Sequence, residues 1–227
     1  VAKEYKETET GGNVFFTNYD MVQTEMLFLA KGEPFNPKNL AASTLFNTYF
    51  GSGLSSIVFQ EIRESKSLAY SAFASYSNAS KKDSPNYVMA YVGTQANKLE
   101  QAVDAMLELM NNMPEAEKQF NAAKNATLKK LAAQRITKSN IFWSYEALKK
   151  RGIDNDNREE MYNTIKNMTI QDLKAFFDKN VKGGSYNVMV IGNKKDLNVK
   201  SLQKLGKIKE LDVDYLFNYV DKKKIKS

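Results

Sequence analysis

Two side chains in one dense stretch invite a chemical reading. The stretch is Phe50-Gly-Ser-Gly-Leu-Ser-Ser-Ile-Val-Phe-Gln-Glu-Ile-Arg-Glu-Ser-Lys-Ser-Leu-Ala-Tyr70, and the two are Arg63 and Tyr70. An arginine carries a permanently charged fork of donors, and a tyrosine carries a phenolic hydroxyl. Each belongs either to the fold or to a substrate. The rest of the chain limits the chemistry around them. Its 227 residues contain 0 His and 0 Cys. Imidazole is the commonest ligand of catalytic zinc and the commonest general base near neutral pH. The chain alone therefore builds neither a self-sufficient zinc hydrolase nor a Ser-His-Asp site. The lack of Cys excludes disulfides, thiolate zinc sites and a cysteine nucleophile.

The elements that position Arg63 and Tyr70 follow from periodicity. Gly51-Ser52-Gly53 ends a helix predicted over about 38–50, with glycine where a C-cap wants positive φ. Ser55 or Ser56 then caps an amphipathic helix to about Ser67. Val58, Phe59 and Ile62 share one side of it, and Arg63 lies four residues from Phe59. Alternation from Ala69 to Ser77, and again from Asn86 to Gly93, predicts two strands joined by a polar turn. Earlier, strands are predicted over 13–17 and about 22–30, followed by a loop over 31–37 that contains Pro34 and Pro37.

Five helices are predicted after Asn97. The first holds Leu99, Val103, Met106 and Met110, and the second runs from Pro114 to about Ile136. The third contains Ile141, Phe142, Tyr145 and Leu148 and ends at Gly152. The fourth holds Met161 and Ile165, and the fifth is capped by Thr169. A strand at 186–191, a short helix at 197–205 and an extended segment near Lys209–Leu211 close the chain. Strands grouped early, one returning late and a helical layer between them predict an α+β fold. Its architecture is a two-layer sandwich with a mostly antiparallel sheet. A doubly wound nucleotide fold needs a glycine-rich loop after a strand, whereas Gly51-Ser52-Gly53 follows a helix.

Composition agrees with a globular chain: 42% hydrophobic, 11% aromatic, 4 Pro and 11 Gly. One domain is expected over 1–227, with 1–12 a linker or arm and 221–227 a basic tail. The methionines read as core filler. No run of about 18 apolar residues exists, so no membrane span is expected. Val1 stands where a start codon would place Met, so a processed or excised piece is expected. The absence of Cys suits cytoplasm and periplasm alike, with periplasm favoured for a bacterial precursor. A net charge of +7 spread over helices reads as solubility, with Lys222, Lys223, Lys224 and Lys226 as a solvated end. No nucleic-acid partner is expected.

The stretch from Phe50 to Tyr70 resembles the corresponding stretch of the M16 zinc metallopeptidases. That family includes pitrilysin, insulysin and the mitochondrial processing peptidases, with non-proteolytic core subunits of a respiratory complex beside them. The glycine-broken turn, the two serines, Phe-Gln-Glu-Ile-Arg-Glu and Leu-Ala-Tyr stand at matching spacing. The likeness extends more weakly over most of the chain. Family members are clamshells of related subdomains, and one carries zinc on an inverted His-x-x-Glu-His motif. With no His, this chain resembles the C-terminal-type, non-zinc subdomain, which occurs once in each half of the parent, the last copy being favoured over the second.

The resemblance implies no metal or cofactor here, and zinc with its Glu base on a partner catalytic domain. That domain lies in the same polypeptide or in a separate subunit. It further implies a peptide substrate, with Arg63 and Tyr70 reaching across the closed clamshell as substrate-binding residues. Such a pair can grip a carbonyl and favour the oxyanion developing there. No residue of this chain is expected to be catalytic. The alternative is a structural or assembly subunit like the family's non-proteolytic members.

Overall fold

The computed structural model describes residues 11–217. Six strands make one sheet: β1 (Asn13–Asn18), β2 (Gln23–Pro34), β3 (Ser71–Ser77), β4 (Pro85–Gln95), β5 (Asn187–Gly192) and β6 (Lys207–Glu210). Their order is β3-β4-β2-β5-β1-β6. The pairs β2–β4, β2–β5 and β3–β4 are antiparallel, and β1 runs parallel to both β5 and β6. The helices are α1 (Leu40–Phe46), α2 (Leu99–Asn111), α3 (Glu117–Ala133), α4 (Ile141–Lys150), α5 (Arg158–Asn167), α6 (Ile170–Asn180) and the short α7 (Val213–Phe217). The fold is α+β, with a mixed sheet and a helical layer.

Alternation along the strands decides which face the helices cover. Val14, Phe16, Met26, Phe28, Ala74, Tyr76, Val88, Ala90, Val92 and Val190 are buried on one face. Period-2 geometry sends their neighbours to the other face. There Phe15, Met189, Leu27, Tyr91 and Phe73 lie directly across from one another, strand by strand. This second row is only partly covered, with Phe73 exposed and stacked on Tyr91 at 5.1 Å.

On the covered face, Phe46 of α1 stacks on Phe50 at 5.0 Å and meets Phe176 and Phe177 of α6. Each such fully buried ring contributes on the order of 2–3 kcal/mol. Met26, Met106, Met110, Met113 and Met168 are all in this core, as filler. Tyr49 is buried yet satisfied. Its hydroxyl donates to the Pro114 carbonyl at 2.6 Å and accepts from the Ala116 N–H at 3.0 Å. Burial pushes that hydroxyl's pKa up.

Several boundaries differ from the sequence reading for local reasons. The stretch 31–34, expected as loop, continues β2 to Pro34. It pairs Pro34 with Pro85 across a register irregularity, which spares both prolines a place in the regular ladder. The helix expected over 38–50 is α-helical only to Phe46. Asn47–Gly51 then winds into a wider π-helical turn, and Phe59–Ser65 does the same. The helix containing Ile141, Phe142 and Tyr145 forms, but these residues face outward. Phe142 is 59% exposed and Trp143 67%. Only Leu148 packs inward, onto a small cluster of Phe35, Leu40 and Ile153. Gly12, expected within a loose arm, is pinned: its N–H donates to Tyr186 and its carbonyl accepts from Lys207. Residues 1–10 and the basic tail lie outside the described residues.

The wide turn at Asn47–Gly51 has a task at the sheet edge. β3 ends the strand order, and its outer backbone groups need partners. The Asn47 amide supplies one pair, accepting from the Tyr76 N–H at 2.8 Å and donating to the Tyr76 carbonyl at 3.0 Å. Gly51 passes so close that a Cβ there would sit 1.8 Å from the Ala74 carbonyl oxygen. Of the two glycines expected to end the helix, Gly53 supplies the positive φ, at 96°. At α6 the expected cap is present and reciprocal. The Thr169 hydroxyl accepts from the Asp172 N–H at 3.2 Å, and the Asp172 carboxylate accepts from the Thr169 N–H at 2.8 Å.

Three outcomes follow for stability. Gly51→Ala costs about 3 kcal/mol in a urea melt, because the methyl meets backbone. Gly53→Ala costs about 1 kcal/mol, for φ alone. Asp172→Asn costs about 0.5 kcal/mol near neutral pH, its exposed carboxylate being screened by solvent. The hydrogen bonds from Thr169 hold the Asp172 carboxyl below its usual value of 3.8. Its contribution is therefore present above that value and lost as pH falls through the depressed one. Paired melts of wild type and variant converge in that acid range.

Candidate functional site

Arg63 and Tyr70 are built from the turn that joins the second π-helical segment to β3. Ser56, fully buried, starts the segment: its hydroxyl donates to the Gly53 carbonyl at 2.8 Å and faces the Phe59 N–H at 3.4 Å. Ile57, Val58 and Ile62 anchor the inner side in the core. That leaves Arg63 outside, with its guanidinium 4.8 Å from the centre of the Phe59 ring and its Nε 3.7 Å from Glu64. An exposed ion pair of this kind contributes little, and the aromatic contact about 0.5–1 kcal/mol. The Arg63 side chain stays 45% exposed.

After Arg63 the backbone reverses within a few residues. Ser67 adopts φ 50°, its N–H donates to the Arg63 carbonyl at 3.1 Å, and the Leu68 N–H reaches the Ile62 carbonyl at 2.9 Å. The reversal is then strapped to the end of β4 and the turn that leads into α2. The Thr94 hydroxyl donates to the Leu68 carbonyl at 2.5 Å, and Lys98 donates to the Ser67 carbonyl at 3.0 Å. The Tyr70 N–H donates to the Gly93 carbonyl at 2.8 Å. Its hydroxyl accepts from the Gln95 side-chain amide at 2.7 Å, while Tyr70 as a whole remains 50% exposed.

The turn thus leaves both side chains partly exposed, Arg63 on the helical segment before it and Tyr70 where β3 begins. The loop between β1 and β2 borders the end of β4. Gln23 pairs with Gln95, and the preceding Val22 is 93% exposed. Thr94, Gln95 and Lys98 hold the turn although the sequence reading did not single them out. Only the strand register, which sets Ser71 against Gly93, brings them beside it.

The chemistry available here is that of donors. A guanidinium and a phenol can hold a carbonyl oxygen and stabilise negative charge on it. Among the described residues no group of three His, Cys, Asp or Glu side chains could hold a metal. A separate groove of about 970 Å³ lies beside β3, lined by Thr44, Asn47, Ser75, Asn78, Arg151 and Arg158 among others. Neither Arg63 nor Tyr70 lines it.

Comparison with known proteins agrees with the fold. A curated relative, an uncharacterized zinc protease of Rickettsia felis, is 41% identical over 91 residues, which is 40% of this chain and 21% of that protein. Among solved structures, a peptidase M16 inactive domain from Pseudomonas fluorescens superposes with a TM-score of 0.68 at 18% identity. It covers 86% of this chain and 46% of its own. The periplasmic protease PqqL from Escherichia coli superposes with a TM-score of 0.65 at 15% identity, covering 85% and 21%. The chain thus spans less than half of each of these proteins. Residues 2–127, more than half of the chain and including the whole stretch from Phe50 to Tyr70, match the family described as the peptidase M16 inactive domain. The chain belongs to that family.

Proposed function

We propose that this chain is the substrate-clamping, non-catalytic part of an M16-type zinc metallopeptidase, acting as one domain over 1–227. The observation that carries the reading is that Arg63 and Tyr70, on either side of one turn, are both about half exposed within the region that matches the inactive-domain family. Membership in an inactive-domain family and a chain with 0 His both support a reading in which hydrolysis is carried out elsewhere. The zinc-bearing domain is a partner, in the same polypeptide or in a separate subunit. Zinc there supplies the Lewis acidity and the activated nucleophile.

The residues of this chain would bind and orient the peptide. Arg63 reaches a carbonyl from a guanidinium resting on Phe59, so little side-chain entropy is lost on binding. Tyr70, seven residues on where β3 begins, offers a neutral donor. Both interactions grow stronger as charge collects on the carbonyl oxygen, which is what raises turnover as distinct from affinity. A donor placed this way contributes roughly tenfold or more to rate.

The expected outcomes are direct. The isolated chain binds no zinc in a metal titration and cleaves no peptide. Combined with the zinc-bearing part it supports cleavage. In that assembly Arg63→Ala and Tyr70→Phe each lower turnover about tenfold, with folding unchanged by circular dichroism. Full turnover in both variants would overturn the clamp and leave an assembly role.

A further inference from the structure

The Tyr70 hydroxyl has a partner whose direction matters. Gln95 ends β4 on the same strand parity as Gly93, and its Nε2 donates to the Tyr70 oxygen at 2.7 Å. Tyr70 is therefore held twice by one strand. Its backbone N–H is held by the Gly93 carbonyl and its hydroxyl by a side chain two residues further on. A phenol has one proton to give and lone pairs that accept. With Gln95 feeding a lone pair, the proton is turned away from Gln95, toward whatever enters the site. A donated bond to the oxygen also strengthens the bond the hydroxyl can give in turn, since chained hydrogen bonds polarise one another.

Gln95 has a fixed seat for this. Its backbone pairs with Gln23 of β2, the neighbouring Thr94 is buried and strapped to Leu68, and the following residues turn into α2. A side chain anchored at a strand end is aimed more sharply than one on a loop. We propose that Gln95 is a positioning residue. By donating to Tyr70 it sets the phenol as an outward donor for a peptide carbonyl. This rests on the clamp reading given above and adds to it the residue that determines the donor direction.

The test uses the full assembly with its zinc-bearing part and an internally quenched fluorogenic peptide that it cleaves. Gln95→Ala removes the support and lowers kcat about three- to tenfold, with KM changed less than about twofold. Gln95→Glu is the sharper probe. A carboxylate can only accept, so it draws the Tyr70 proton inward, and the loss in kcat exceeds that of Gln95→Ala. In a Tyr70→Phe background neither Gln95 substitution lowers kcat further, because there is no hydroxyl left to direct. Thermal unfolding midpoints are compared for every variant, since a role in stability alone would not be erased by removing one oxygen from Tyr70.

The proposal is overturned alone if Tyr70→Phe lowers turnover while Gln95→Ala does not. It is likewise overturned if the Gln95→Ala loss persists in full on top of Tyr70→Phe, or if Gln95→Glu turns over like wild type. Full turnover in Tyr70→Phe overturns the clamp role of Tyr70 and this proposal with it.

Discussion

The sheet is closed by a strand that arrives late. β5 enters between β2 and β1, antiparallel to the first and parallel to the second, and the joining of the two parts of the sheet depends on that insertion. Without it β1 and β6 form a two-stranded piece with no link to the other three strands. Such pairs are marginal in water. The insertion joins segments far apart in sequence, with Val14 opposite Val188 and Phe28 on the other side of the same residue. The chain must fix its intervening helices before the pairing rewards them, a topology that folds slowly. It also explains why Val188 and Val190 have neighbours on both sides and are almost wholly buried.

Much of this architecture was legible because strand and helix periods differ. The alternation in Ala72-Phe73-Ala74-Ser75-Tyr76 and the run Val188-Met189-Val190-Ile191 mark strands that the structure contains. Thr169 followed by Asp172 marks a helix start that the structure caps on both sides. Less legible was anything set by tertiary pairing. Pro34 looks like loop chemistry, yet Pro85 stands opposite it and the strand runs on. Gly51 looks like a cap, yet it is glycine because a neighbouring carbonyl passes through the space of its side chain. Ile141, Phe142 and Tyr145 have core composition, and nothing in their spacing says that the face they form stays outside.

The site divides the same way. Arg63 and Tyr70 were visible in the sequence as a guanidinium and a phenol flanking a helix-to-strand turn, and the structure leaves both about half exposed on either side of that turn. Their supports were not visible. Gln95 and Thr94 are two dozen residues further on, and only the hairpin register carries them back to the turn. Sequence shows a group that can act. The partner that orients it is decided by how strands align, and a one-residue slip in β4 would exchange Gln95 for a residue of the opposite face.

The Asn47 amide on the edge of β3 has a wider consequence. By matching the N–H and C=O of Tyr76 it imitates one residue of a neighbouring strand, and Gly51 brings a helix backbone against the next position in the same register. An arriving extended chain finds that stretch of edge already spoken for. The sheet is terminated by a side chain posing as main chain, so it does not serve there as a template for other polypeptides.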